Sequence, residues 1–234
     1  MDSWQAAIGE RKMKHANVND GLPLNRVGEF DFTGYIVQEK LDGWRAFLDG
    51  ETGELIGRNS RFGFYKQTFP GWVFDGELMP DGEFIAFDVL VAPGEDVSQL
   101  PQVERLKILD NAIVRAAEWH DPIPAMKFNS GCAAFARYIE KRGGEGIVAK
   151  LADKPYGRGG WLRFKRRTTY DVPVISIQSG LADVAVTKLG KVTVPESVKA
   201  GDVIEVAAHS LHPSGLWREP RFIRIRKDKM KCLQ

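Results

Sequence analysis

The sequence predicts an α+β fold in two parts: a larger domain of antiparallel sheets with flanking helices over residues 1–169, then a small all-β barrel over residues 170–234. Three observations carry this reading. Short apolar segments of strand length, from Tyr35 onward, are separated by Asp-Gly, Thr-Gly and Pro-Asp-Gly turn signals. Only two stretches show the apolar spacing of helices. Beyond Asp171 that spacing disappears, and strand follows turn to the end of the chain.

In chain order, the first thirty residues are mixed and turn-rich, with a short helix expected near Trp4 to Arg11 and no chemistry assigned. Strands are expected at 35–38, 44–48, 55–58, 72–79 and 83–91, broken by Asp49-Gly50, Thr52-Gly53 and Pro80-Asp81-Gly82. If 80–82 form a three-residue loop, Met79 faces Glu83, pairing Glu77 with Ile85 and Asp75 with Phe87. Alternation then puts Glu77 and Phe87 on one face as diagonal neighbours, a carboxylate beside an aromatic plate. A helix over 100–118 carries Val103, Leu106, Ile108, Leu109, Ile113 and Val114 near a 3.6 period. Ser130 caps a second helix through Cys132, Phe135 and Ile139, which stops at Gly143-Gly144. Strands resume at 146–150 and 161–165. The second part offers strands at 172–177, 184–188, 192–194, 203–207 and 222–225, which spells a small barrel, most commonly an OB-fold.

A chain of 234 residues, 43% hydrophobic and 27% charged, can bury a sizeable core, which excludes collagen-like, coiled-coil and disordered classes. No apolar run approaches the roughly 18 to 20 residues that span a bilayer, and the start lacks a secretory pattern. The expectation is a cytoplasmic protein without membrane contact. Two cysteines, Cys132 and Cys232, are too few for a disulfide framework and read as buried free thiols. The net charge of +2 hides an asymmetry: residues 1–169 hold 23 basic against 24 acidic groups, residues 170–234 hold 10 against 7. Seven cations lie between Trp217 and Lys231, and Arg163, Lys165, Arg166 and Arg167 form another cluster. Both suit phosphates, although a solvated charged face is the ordinary meaning of such runs. His209 and His212 read as a surface loop rather than a metal pair, and His15 and His120 receive no role.

The sharpest segment is Lys40-Leu41-Asp42-Gly43-Trp44-Arg45, a lysine ending a strand before a tight turn. Alone, K-x-D-G arises by chance in roughly one chain of this size in twenty, and an exposed turn is its plain meaning. Its company changes that. KLDGWR, LIGRN, FDGEL, FIAFDVL, EGIVAK, WLRFK and RIRKDK follow in order. Together they resemble the motif series of the covalent nucleotidyltransferase superfamily, specifically the minimal, phage-type ATP-dependent DNA ligases, over about residues 35–231.

The resemblance implies a nucleotidyltransferase (adenylation) domain followed by an OB-fold domain, and nick sealing through a covalent lysyl-AMP and a DNA-adenylate. Lys40 would attack the α-phosphorus of ATP and release pyrophosphate. A free lysine is neutral only about once in a thousand at pH 7.5. Crowding by Arg45, Arg58, Arg163, Lys165 and a metal would favour the neutral nucleophile, recovering roughly 4 kcal/mol. By the same resemblance Glu77 contacts the ribose, Phe87 stacks on adenine, and Glu77 and Glu145 serve Mg2+, for which Mn2+ can substitute. A hard cation of this kind takes one or two carboxylates plus substrate phosphates. Arg163 and Lys165, two apart on a strand, would grip the α-phosphate, with Arg163 standing where relatives carry lysine. Gln38 stands where relatives often carry glutamate. Arg226, Asp228 and Lys229 match the motif that orients pyrophosphate, which requires domain closure about a hinge near residues 167–171. Asp42 would organise the 3′-hydroxyl step.

Arg61, Lys66, Arg166, Arg167, Arg221 and Arg224 are the candidate contacts to nicked double-stranded DNA, and the aromatic-rich stretch 61–72 either meets the nick or fills the core. The protein is expected to act as a monomer, in the host cytoplasm if phage-encoded, in repair, replication or recombination. A capping guanylyltransferase or an RNA ligase shares much of the pattern, and a catalytically dead nucleic-acid binder is the alternative outside enzymes.

Overall fold

The computed structural model describes residues 14–115, 126–127 and 131–229, which fall into two compact units divided between Lys165 and Arg166. The expected helix near Trp4, the cap at Ser130, His120 and Cys232 lie outside the described residues.

In the first unit the strands are β1 (Asn19–Asp20), β2 (Tyr35–Lys40), β3 (Trp44–Asp49), β4 (Glu54–Gly57), β5 (Arg61–Phe64), β6 (Val73–Leu78), β7 (Phe84–Ala92), β8 (Glu95–Asp96), β9 (Met126–Lys127), β10 (Gly146–Leu151) and β11 (Trp161–Lys165). They form a six-stranded sheet ordered β5-β4-β3-β6-β7-β8 and a five-stranded sheet ordered β1-β11-β10-β2-β9. All neighbours are antiparallel except β1 with β11. A 3-10 helix, Leu24–Glu29, and two α-helices, α1 (Gln102–Arg115) and α2 (Cys132–Lys141), complete the unit.

Each sheet buries its own core. Leu48, Leu55, Phe74 and Val89 join Leu106 and Leu109 of α1 against the six-stranded sheet. On the other sheet Val37, Ile147, Ala149 and Phe164 meet Cys132, Ala136 and Ile139 of α2. The spacing of those helix residues is the i, i+4, i+7 pattern that presents one apolar face to a sheet. The aromatic stretch divides. Phe62 and Phe64 are exposed on β5, whereas Tyr65, Phe69 and Trp72 pack on the core.

Two aspartates set the charge pattern inside the unit. The β6–β7 hairpin confirms Met79 opposite Glu83 and Glu77 opposite Ile85, but Asp75 does not pair with Phe87. A register shift between Asp75 and Gly76 places Asp75 opposite Asp88, leaving Phe87 as the extra residue of a β-bulge. A bulge is invisible to an alternation rule, since one inserted residue breaks the period. Asp88 and Arg105 are both fully buried. Arg105 Nε and Nη2 donate to the two Asp88 oxygens at 2.9 and 3.0 Å, and its remaining donors reach Gln102 Oε1 and the carbonyls of Leu100 and Lys154. This pair ties α1 to β7.

The second unit contains β12 (Thr168–Pro173), β13 (Ser176–Gln178), β14 (Asp183–Thr187), β15 (Gly190–Val194), β16 (Val203–Ala208), β17 (Ser210–Leu211), β18 (Trp217–Arg218) and β19 (Arg221–Ile225). Their pairing gives three sheets, β12-β16-β19, β13-β14-β15 and β17-β18, with no closed barrel among the described residues. Val172, Ala185, Val192, Ile204, Val206 and Trp217 share a single core. Two expectations are corrected. The strand expected over 172–177 is broken into β12 and β13, where Val174 and Ile175 bond to Asp202 and Val186 instead. The stretch expected as a hinge, residues 167–171, is strand from Thr168 onward and begins the second unit. His209 is buried, with Nδ1 at 3.2 Å from the Arg166 carbonyl, so it is not a surface-loop residue; His212 is exposed. No helix among the described residues is long and apolar enough to cross a membrane.

Replacing Arg105 with Leu strands the Asp88 carboxylate in the core. The expected loss is about 3–5 kcal/mol in urea unfolding, with most of it recovered when Asp88 is also replaced by Leu.

Candidate active site

The ends of three neighbouring strands gather the central groups. Gly146 of β10 lies opposite both Lys40, the last residue of β2, and Lys165, the last residue of β11. Glu145, immediately before β10, therefore sits between two lysines. Its Oε2 accepts from Lys40 Nζ at 2.6 Å, and its Oε1 lies 3.4 Å from Lys165 Nζ. Glycine is needed at 146 because φ is +155° there and a Cβ would collide with the Phe164 carbonyl. The turn after Lys40 is equally tight: a Cβ on Gly43 would stand 2.9 Å from Glu77 Cγ.

A cavity of about 440 Å³ opens beside Lys40, lined by Gln38, Arg45, Arg58, Glu77, Phe87, Val148, Lys150, Trp161 and Arg163, with Asn17, Val18 and Asn19 at its edge. The structure thus brings Gln38, Lys40, Arg45, Arg58, Glu77, Phe87 and Arg163 to one cavity, with Glu145 and Lys165 joined to it through Lys40. Phe87 is half-buried and faces the cavity, not the core. Asp42 is exposed on the turn after β2.

The expected crowd of cations around Lys40 is corrected. Its closest charged partner is the Glu145 carboxylate. Arg45 is turned away, with Nε and Nη2 on the two Asp75 oxygens at 3.0 and 2.6 Å and Nη1 on the Ala16 carbonyl at 3.0 Å. Arg163 Nε bonds to Asp20 at 2.6 Å, and Arg58 is exposed. Burial opposes ionisation of Asp75, but the Arg45 guanidinium beside it holds the carboxyl well below the usual range. Tyr156 donates to Asp75 Oδ2 at 2.7 Å, and its hydroxyl is raised by burial and by that carboxylate.

Sequence reasoning missed Lys150. It is fully buried, its Nζ 3.2 Å from the Phe87 carbonyl, 3.8 Å from the Trp161 ring centre and 4.6 Å from that of Phe87. Burial pushes its pKa down to about 7 despite Asp88 and Asp75. Arg45 and Arg105, which already hold the two aspartates, add a smaller push in the same direction, while Asp88 Oδ2 stands 4.0 Å from Lys150 Nζ. The available signal was a lysine inside the apolar run Gly146–Leu151, where water cannot reach. Gln38 is a second buried polar group. Its Nε2 donates to the Phe87 carbonyl at 3.2 Å, and its Oε1 is buried with no hydrogen-bond partner. An orphan acceptor at a cavity wall is expensive unless a donor arrives.

Glu77 and Glu145 suit a hard divalent cation: both are carboxylates, and burial followed by the field of Glu145 contributes to raising Glu77 to about 7, with Lys40 opposing. A site in which two carboxylates repel is relieved by a cation.

The candidate DNA contacts on the first unit are engaged in ion pairs, Arg61 with Glu54 and Lys66 with Glu83. On the second unit Arg166 and Arg167 are half-buried, Arg221 and Arg224 are exposed, and Arg224 bonds to Glu205 at 2.7 Å. Arg226 and Lys229 both bond to Asp171, and Arg226 also bonds to Asp228.

No family model matches the chain. It is 37% identical over 144 residues to a probable DNA ligase of Anaeromyxobacter dehalogenans, a match covering 58% of this chain and 28% of that protein. The chain spans between 15% and 28% of the length of these curated relatives. Among solved structures, a Lig E DNA ligase superposes with a TM-score of 0.66 at 19% identity, covering 90% of this chain and all of the other. A mycobacterial DNA ligase D complexed with ATP superposes at 0.54 and 19% identity over 93% of this chain and 96% of the other. These superpositions show a shared fold.

Glu77 sets a pH test. Its folded value of about 7 lies above the ordinary 4.5, so its contribution is full below about pH 4.5 and is lost as the pH rises through 7. Glu77→Gln should stabilise the protein by roughly 1–3 kcal/mol at pH 8 and by almost nothing at about pH 4, read from thermal melts at the two pH values.

Proposed function

We propose that this protein is an ATP-dependent DNA ligase that seals 3′-hydroxyl/5′-phosphate nicks in duplex DNA through a lysyl-AMP and a DNA-adenylate. The observation that carries this is the Lys40–Glu145–Lys165 array at the mouth of a cavity whose far wall presents an orphan acceptor and a buried lysine between two aromatic rings. The curated relatives are named as probable DNA ligases, and one of the superposed proteins holds ATP.

The polar groups suit an adenine edge. Adenine offers a donor at N6 and an acceptor at N1, complementary to Gln38 Oε1 and Lys150 Nζ. Guanine offers an acceptor at O6 and a donor at N1, which sets like against like. Phe87 supplies the stacking face. Lys40 Nζ then forms a bond to the α-phosphorus as the bond to pyrophosphate breaks, and the nearest acceptor for its proton is Glu145 Oε2. Lys165 and Arg163 offset charge on the phosphate, while Arg45 and Arg58 line the same cavity. Mg2+, or Mn2+ in its place, would be held by Glu77 and Glu145 and would supply charge neutralisation during phosphoryl transfer.

The second unit is read as the OB-fold domain of this family, its strands wrapped round one core, with Arg226, Asp228 and Lys229 orienting pyrophosphate. Arg61, Lys66, Arg166, Arg167, Arg221 and Arg224 contact DNA phosphates, and Asp42 organises the 3′-hydroxyl step. Sealing proceeds as AMP passes to the 5′-phosphate and the 3′-hydroxyl displaces it. A monomer is sufficient for this chemistry.

Incubation with labelled ATP and Mg2+ should yield a covalent AMP adduct that Lys40→Ala abolishes and that nicked DNA discharges; a wild-type chain that forms no adduct overturns the proposal. Gln38→Ala combined with Lys150→Met should cut the preference for ATP over GTP by roughly 10- to 100-fold, measured as adduct formation from each nucleotide.

A further inference from the structure

The ion pairs of the second unit form a ledge with a definite logic. Asp171 of β12 lies directly opposite Glu205 of β16, and Glu205 lies opposite Arg224 of β19. Two carboxylates side by side across strands repel, so this ledge requires cations. They come from β19 and the turn after it. Arg226 Nη1 donates to both Asp171 oxygens at 2.8 and 2.9 Å, while Nε and Nη2 grip Asp228 at 2.9 and 2.7 Å. Lys229 Nζ reaches Asp171 Oδ2 at 2.6 Å, and Glu205 stands 3.8 Å from Arg226 Nη1.

The guanidinium fork of Arg226 is therefore occupied on its Nε/Nη2 edge by Asp228 and at Nη1 by Asp171. A planar fork held in this way by carboxylates cannot also hold a phosphate in two-point contact. One carboxylate has to leave. Asp228, two residues away, travels with Arg226, whereas Asp171 is fixed in β12 by pairing with β16. Asp171 is thus the partner to be displaced.

We propose that Asp171 is a built-in competitor for polyphosphate: it holds Arg226 and Lys229 self-neutralised on the β12–β16 ledge until an incoming polyphosphate displaces it. The inference rests on the ligase reading only in taking the ligand to be the pyrophosphate end of a nucleotide. Apparent affinity falls to its intrinsic value multiplied by the fraction of time the two cations are released. Exposed pairs are individually weak, so the held state is favoured only several-fold and the exchange is reversible. Once phosphate departs, the uncovered Asp171 and Glu205 draw the cations back, which makes Asp171 a positioning residue for both states.

The test is calorimetric titration of the full chain with inorganic tripolyphosphate at low salt. Asp171→Asn should bind roughly three- to tenfold more tightly than wild type, Asp171→Glu should match wild type, and adding Arg226→Ala to Asp171→Asn should remove the gain. Unchanged or weaker binding by Asp171→Asn, with an unshifted melting temperature, overturns the inference. Should Asp171→Asn melt early, Glu205→Gln relaxes the same ledge, and it too must bind more tightly or the inference fails. AMP transfer on the same proteins separates the two readings. A wild type without adduct sinks the ligase reading while the tripolyphosphate comparison still decides this one. Where adduct forms, Asp171→Asn should lower the KM for ATP by the same factor at unchanged kcat, and an unchanged KM counts against it.

Discussion

Two carboxylates buried opposite one another on neighbouring strands are the constraint around which the first unit is organised. Asp75 and Asp88 are cross-strand partners with no exposure to solvent. Burying one carboxylate is costly and burying two side by side is worse, so the fold supplies a guanidinium to each. Arg45 comes from the neighbouring strand β3 and Arg105 from helix α1, each in two-point contact. The pairing locks four elements together, because any shift in β3, β6, β7 or α1 would leave a charge unmatched.

The chemistry of the cavity follows from that lock. With both aspartates held by arginines, Lys150 keeps only a 4.0 Å approach to Asp88, and its burial lowers its pKa to about 7. The bulge that brings Asp75 opposite Asp88 also makes Phe87 the unpaired residue, freeing its carbonyl to accept from both Gln38 and Lys150. One irregularity in a ladder therefore sets the aromatic face, the amide orientation and the lysine. At the other end of the cavity the organising device is simpler: two strands stop where a third begins, and their last residues, Lys40 and Lys165, meet Glu145 just before that third strand.

Electrostatics takes the same form in the second unit, on its surface. There too adjacent strands present paired carboxylates, and late-sequence cations neutralise them. The difference is solvent. The buried pairs of the first unit hold because separation would leave an already desolvated charge uncompensated, whereas exposed pairs trade partners at little cost. A net charge near zero hides both patterns.

Much of this was legible in the chain. Turn signals and apolar periods located most of the strands of both units and the two helices, because those features depend on local backbone preference and on which face is buried. Motif order brought Gln38, Lys40, Glu77, Phe87, Glu145 and Lys165 together in advance, since strand ends and turns fix where such residues emerge. What the chain alone did not reveal was partnership: that Arg45 turns to Asp75, that Lys40 meets a carboxylate instead of a crowd of cations, that His209 is buried, and that Lys150 is buried beside two aromatic rings. These depend on a bulge of one residue and on contacts across long stretches of sequence. A residue's type and spacing are properties of the chain, but its charge balance and its hydrogen-bond partners are set by distance and desolvation, which exist only once the strands have packed.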